Sequence, residues 1–114
     1  CPDRKVVALQ ADGSAMYTIQ GLWTQAREGL DVTTIVYANR AYAILQGEMK
    51  AVGVEEPGKV AEDMFGLDRP NLDFVSIANG MGVEAERVDD ASDLVKAFQH
   101  GLATPGPYLI EALI

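Results

Sequence analysis

Two short apolar runs, each ending in an oxygen-bearing side chain, constrain this chain more than any other feature. Residues 5–10, Lys5-Val6-Val7-Ala8-Leu9-Gln10, lead into Ala11-Asp12-Gly13-Ser14. Residues 32–38, rich in valine, threonine and isoleucine, lead into Asn39-Arg40-Ala41. One helical pattern lies between them, with Met16, Ile19, Trp23 and Ala26 at helical spacing and Gly29 closing it. Strand, helix and strand in that order make a βαβ unit with parallel strands. Asp12 and Asn39, 39 − 12 = 27 positions apart, then follow the C-terminal ends of two successive strands. Ligands of open parallel sheets bind at that edge. A carboxylate and an amide oxygen, completed by substrate phosphates, are a usual way of holding magnesium.

The remainder of the chain continues the alternation. The first strand, over residues 5–10, is apolar on both faces, as expected of a strand covered by helices on each side. The spacing predicts a helix over 15–28, a strand over 33–38 and a short helix over 42–49 with Leu45 and Met49 on one face. Gly53, Pro57, Gly58, Gly66 and Pro70 make residues 51–71 a long loop or lid with at most one short helix. Phe74, Ile77, Ala78 and Met81 mark a helix ending at Gly80 or Gly82, and 84–88 is a short strand. Asp90 caps a helix whose inner face is Leu94, Ala97, Phe98 and Gly101, and 108–113 is the last strand. The fold class is α/β: three αβα layers around a mostly parallel sheet.

At Asp12-Gly13-Ser14 and Asn39 the sequence resembles the motif of thiamine-diphosphate enzymes, a Gly-Asp-Gly-Ser start and an Asn-Asn end. The stretch from Asp12 through Tyr17 to Trp23 and Thr24, and the ending Gly106-Pro107-Tyr108-Leu109-Ile110-Glu111-Ala112, resemble the acetolactate synthase and benzoylformate decarboxylase branch. The likeness covers nearly all of residues 1–114 and matches the C-terminal, pyrophosphate-binding domain of those enzymes, hence the thiamine-diphosphate-binding fold. It implies that Asp12 and Asn39 give side-chain oxygens, and Ala41 its carbonyl, to Mg2+. It implies that Gly13 and Ser14 touch the diphosphate, and that Tyr42, Ala43 and Ile44 lie beside the cofactor, with Ile44 facing the substrate. The substrate class it implies is the 2-oxo acids, for decarboxylation or carboligation. The glutamate that activates the cofactor belongs to a pyrimidine-binding domain, normally from a partner subunit of a homo-oligomer. The isolated chain is therefore expected to be inactive and prone to associate. Its start without methionine, at Cys1-Pro2-Asp3-Arg4, suits a piece of a longer polypeptide. Ala11 and Ala38 depart from the pattern, standing where the family has a glycine and often the first asparagine.

Composition removes other classes. A net charge of −8 argues against nucleic acid and anionic membrane surfaces as partners. No apolar stretch approaches the ~20 residues of a spanning helix. Cys1 is the only cysteine, which excludes an internal disulfide and a cysteine zinc site and points to the cytoplasm. Neither a Gly-x-Gly-x-x-Gly fingerprint nor a Gly-Lys-Ser/Thr phosphate loop is present. Trp23, Phe74 and Phe98 are assigned to core or subunit contact. His100, the only histidine, belongs at a helix end, and Glu55-Glu56 and Asp89-Asp90 are solvated charges, with Asp90 also a cap. Two alternatives stand beside the leading reading: a receiver-type signalling domain, and a stand-alone pseudoenzyme or interaction module, which rests on Ala11 and Ala38. Asp12 also has the simpler reading of a helix cap.

Overall fold

In the computed structural model, which describes residues 1 and 3–114, a four-stranded sheet carries helices on both faces. The elements are β1 (Val6–Ala11), α1 (Asp12–Ala15), α2 (Gly21–Glu28), β2 (Val32–Ala38), α3 (Ala43–Ala51), α4 (Lys59–Phe65), α5 (Phe74–Gly80), β3 (Glu84–Val88), α6 (Ala91–Ala103) and β4 (Tyr108–Leu113). The strand order is β1-β2-β4-β3 and every pairing is parallel. This is the expected α/β architecture.

Two apolar layers flank the sheet. One packs Val36 and Leu109 against Leu22 of α2 and Phe74 and Ala78 of α5. The other packs Ile35, Ile110, Ala112 and Tyr108 against Ala97 of α6, with Phe98 alongside. Successive strand residues face opposite sides, so the neighbours Ile35 and Val36 belong to different layers. β4 is buried at Tyr108, Leu109, Ile110, Glu111 and Ala112, as befits an interior strand of a sandwiched sheet. At the N-terminal end of β1, the Lys5 ammonium binds Asp31 at 2.6 Å and the Thr104 carbonyl, closing that end of the sheet. Among the described residues no helix is long and apolar enough to cross a membrane.

Two expectations change. The helix predicted over 15–28 is two helices: α1 ends at Ala15, and three-residue turns such as Thr18 N–H to Ala15 O and Gly21 N–H to Thr18 O carry the chain into α2. That break shifts the helical phase, so Leu22 is buried while Trp23 is 53% exposed under the Arg27 guanidinium. β1 is an edge strand rather than a covered one, and Leu9 is 62% exposed. Residues 51–71 hold one short helix, α4, within the expected limit of one. Gly29, in the left-handed conformation at φ 57°, closes α2 as expected.

Candidate functional site

Parallel pairing of β1 with β2 sets Ala11 opposite Tyr37, so the two strands finish side by side. Asp12 opens α1 just beyond, and Asn39 leaves β2 one residue after Ala38. Asp12 is buried, at 2% exposure. Its Oδ1 accepts the Gly13 N–H at 2.8 Å and its Oδ2 accepts the Arg40 N–H at 2.6 Å. Asp12 is therefore not a helix cap: the capping position is Ala11, and the carboxylate instead bridges the ends of two strands. Hydrogen bonds to an ionised carboxylate are about twice as strong as neutral ones.

The β2–α3 loop is fixed from both sides. Arg40 stands at φ 60°, the left-handed region that costs a side-chain-bearing residue energy and persists where its surroundings enforce it. The Asp12 carboxylate grips its N–H, and its carbonyl accepts the Leu67 N–H at 2.7 Å. Ala41 pairs with Gly66 in an isolated bridge, and the Tyr42 N–H reaches the Phe65 carbonyl at 2.8 Å. Within the loop, Asn39 Oδ1 accepts the Ala41 N–H at 3.0 Å, a local turn. The Tyr42 ring lies on Gly13, where a Cβ would come within 2.5 Å of Tyr42 Cε1; only glycine admits that approach. Ser14 is exposed in the first turn of α1, where amides lack intrahelical acceptors. Ala43 and Ile44 open α3, and Ile44 is 75% exposed.

The donor set suits a hard cation. Asp12, Asn39 and Ala41 bear only oxygen ligands, and each Asp12 oxygen accepts one N–H, which leaves lone pairs for a metal. Among the described residues no cluster of three His, Cys, Asp or Glu side chains forms a self-sufficient metal site. An ion held here would draw on few protein ligands, as magnesium held with phosphates does. Ala11 is accommodated: its φ of −84° and ψ of 154° are ordinary extended backbone that demands no glycine. Ala38 is buried, and its carbonyl accepts the Ile114 N–H.

Sequence reasoning missed a second polar network. Glu111, 2% exposed in β4, accepts from the Arg87 guanidinium at 3.0 Å, and Arg87 also binds Asp73 at 2.9 Å. Asp73 caps α5 through the Ser76 N–H at 3.0 Å. That amide, then the Ser76 hydroxyl and Arg87, hold the Asp73 carboxyl below its ordinary range. Glu111 keeps the Arg87 guanidinium protonated more firmly than usual, and burial with the Glu86 bond at 2.6 Å pushes the Tyr108 hydroxyl up. The signals were readable: a glutamate inside an apolar strand needs a partner, and Asp73 three residues before Ser76 has the spacing of a cap.

The profile of the family described as thiamine pyrophosphate enzyme, C-terminal TPP binding domain, matches residues 1–112. A Mycobacterium tuberculosis protein that carries the name acetolactate synthase large subunit IlvX is 52% identical over 114 residues, covering 99% of this chain and 22% of that one. Benzoylformate decarboxylase of Pseudomonas aeruginosa is 39% identical over 110 residues, covering 96% and 20%. Among solved structures, the thiamine diphosphate-dependent 4-hydroxybenzoylformate decarboxylase of Rhodococcus jostii RHA1 superposes with a TM-score of 0.85 at 37% identity, covering 96% of this chain and 20% of that one. The chain thus spans about a fifth of the length of these relatives.

Proposed function

This chain belongs to the family of C-terminal TPP-binding domains of thiamine pyrophosphate enzymes, and on that premise we propose that it holds the diphosphate and Mg2+ of thiamine diphosphate within a longer, cytoplasmic enzyme acting on 2-oxo acids. Relatives named acetolactate synthase and benzoylformate decarboxylase support that substrate class. Residues 1–114 form the C-terminal domain of that enzyme. When bound, the cofactor supplies the electron sink for loss of carbon dioxide from the 2-oxo acid. The chain's own residues bind and orient. Asp12, Asn39 and the Ala41 carbonyl hold the metal, Ser14 and the first turn of α1 face the diphosphate, and the Tyr42 ring packs the floor over Gly13. Ala43 and Ile44 border the reacting end of the cofactor.

The observation that carries this reading is the Asp12 carboxylate reaching the Arg40 amide at 2.6 Å, because it draws both halves of the divided motif to one edge of the sheet. The left-handed backbone at Arg40, between the two loop ligands, is strain of the kind that concentrates at functional sites. The extended backbone at Ala11 removes the main support for a degenerate module, and the family match displaces the receiver reading.

A pyrimidine-binding domain, from the same or a partner subunit of a homo-oligomer, supplies the activating glutamate. Exposed Trp23, Ile44 and Leu45 are apolar surface suited to such contacts. Carbon dioxide release from pyruvate or benzoylformate, measured with thiamine diphosphate and magnesium, tests the proposal. The full-length enzyme turns over and residues 1–114 alone do not. Sustained turnover by the isolated chain as a monomer contradicts the division of labour.

A further inference from the structure

Arg87 and Glu111 stand opposite each other in the pairing of β3 with β4, both close to the C-terminal ends of their strands. All the strands run parallel, so this is the edge at which β1 and β2 deliver Asp12 and Asn39. A glutamate buried inside a sheet needs a cation, and Arg87 provides it. A single nitrogen of that guanidinium has two partners: Nη2 donates to Glu111 Oε2 at 3.0 Å and to Asp73 Oδ1 at 2.9 Å. Asp73 lies outside the sheet, at the start of α5, where it caps the Ser76 N–H. Capping needs only a side-chain oxygen. The contact with Arg87 adds something else, a tie between Asp73 and the sheet.

The segment that leads into Asp73 begins at the backbone partners of the β2–α3 loop. The Phe65 carbonyl accepts the Tyr42 N–H at 2.8 Å, Gly66 bridges Ala41, and the Leu67 N–H donates to the Arg40 carbonyl at 2.7 Å. The chain then reverses through residues 68–71, with Asp68 and Asn71 paired in an antiparallel bridge. Leu67 therefore enters this turn, and Leu72 leaves it, at the same end. Asp73 follows at once. A turn closed in this way moves as a unit, so whatever fixes Asp73 also fixes Leu67.

The other anchors of this segment are weaker. Arg69 pairs with Asp63 and Asp68, but these are exposed side chains. Such pairs contribute little, because ordering two flexible side chains in water offsets their attraction. Leu72 is only partly buried against the core. Arg87 differs, because buried Glu111 already immobilises its guanidinium, and meeting Asp73 then orders one short side chain. The loop has need of such an anchor. Ala41 offers a metal nothing but its backbone carbonyl, whose direction is set by the backbone partners of the loop rather than by a side chain of its own.

We infer that Arg87 is a positioning residue for the metal: by holding Asp73 it fixes the segment 65–73 and, through Gly66 and Leu67, the direction of the Ala41 carbonyl. The inference rests on the proposed reading of Asp12, Asn39 and Ala41 as magnesium ligands. Arg87 acts through Asp73 rather than on the metal itself. Removing a group that orients a metal ligand from behind weakens metal binding about 10- to 100-fold. Arg87 works through several backbone bonds instead of one, which places its effect near the lower of those figures.

The test uses the full-length enzyme and separates the tether from the cap. Serine caps a helix as well as aspartate does, but its hydroxyl is too short to reach Arg87. Asp73→Ser therefore keeps the cap and cuts the tether. Arg87→Met combined with Glu111→Leu cuts it from the other side, replacing the buried pair by apolar groups, a change that proteins often accept. In the cofactor-free enzyme, the Tyr42 and Leu67 amides should exchange about tenfold faster in both variants, with the Ser76 amide unchanged. With thiamine diphosphate present, the magnesium concentration that gives half-maximal cofactor binding should rise about tenfold. The three substitutions together should raise it no further than either variant alone, since they break one connection. Variants that lose thermal stability but keep the parent's magnesium dependence and its exchange at Tyr42 and Leu67 would overturn the inference, and so would additive losses in the combined variant. A parent enzyme whose thiamine diphosphate binding ignores magnesium fails the cofactor reading, whereas a parent that binds normally and variants that match it fail only this inference.

Discussion

Replacing Asp12 by asparagine changes one atom and separates the two jobs assigned to this side chain. In the parent, the carboxylate takes two backbone N–H groups, Gly13 at 2.8 Å and Arg40 at 2.6 Å, at 2% exposure. Asparagine keeps one acceptor oxygen and turns an NH2 toward the other N–H, so one bond survives as a neutral bond and one is lost. A hydrogen bond to a charged group contributes about 1.5–3 kcal/mol and a neutral one about 1, while a buried N–H left unpaired costs about 1–3. The net loss is about 2–4 kcal/mol, survivable within the 5–15 kcal/mol typical of a domain. Urea unfolding of parent and Asp12→Asn reads that difference. Amide exchange at Arg40 reads its location: 2–4 kcal/mol corresponds to roughly 30- to 1,000-fold faster local opening wherever the lost bond holds the loop. Asp12→Ala, losing both bonds, should fall further. A variant within about 0.5 kcal/mol of the parent, the range of an ordinary surface change, with unaltered exchange at Arg40, would refute the bridging role.

Gly13→Ala drives a methyl to within 2.5 Å of the Tyr42 ring. It should cost about 1–3 kcal/mol and swing the ring away, visible as a changed Tyr42 environment by NMR and weaker cofactor binding in the full-length enzyme. Glu111→Gln keeps the shape and removes the charge facing Arg87, a partner 42% exposed. Calorimetry should show a loss of about 1–2 kcal/mol, with α5 amides opening first in exchange. Asp73, held below its ordinary range chiefly by the Ser76 amide, contributes stability that is full above its unfolded value of about 4 and is lost as pH falls through its lower folded value. An acid titration followed by NMR should loosen the start of α5 below about pH 4, and Asp73→Asn should abolish that step while weakening the cap at neutral pH.

The parts legible in the sequence were those set by local pattern. β2, β3 and β4, the Asp90 cap and the Gly29 stop each follow from residues within a few positions of one another. So did the parallel direction of β1 and β2, because a helical crossover joins them, although that crossover is made by two helices, α1 and α2. The split between α1 and α2 was not legible, since the apolar spacing of Met16, Ile19 and Trp23 runs through the turns that interrupt it. Exposure of β1 depends on strand order, which no periodicity encodes. At the site, the side chains of Asp12 and Asn39 offered oxygen donors and Ala41 entered only through the family resemblance, whereas the roles of Arg40, Gly66 and Leu67 lie in backbone groups that every residue carries. Only the three-dimensional path shows the Arg40 N–H and carbonyl tying β1 to the segment after α4.

The central claim is that the ends of β1 and β2 together hold the metal of a diphosphate cofactor. A crystal structure of the full-length enzyme with thiamine diphosphate and magnesium tests it most directly. The account predicts one ion at about 2.1 Å, the magnesium–oxygen distance, from an Asp12 carboxylate oxygen, Asn39 Oδ1 and the Ala41 carbonyl, with diphosphate oxygens completing its shell. An ion bound elsewhere, or a diphosphate seated away from the start of α1 with Asp12 still closed on Gly13 and Arg40 alone, would contradict it.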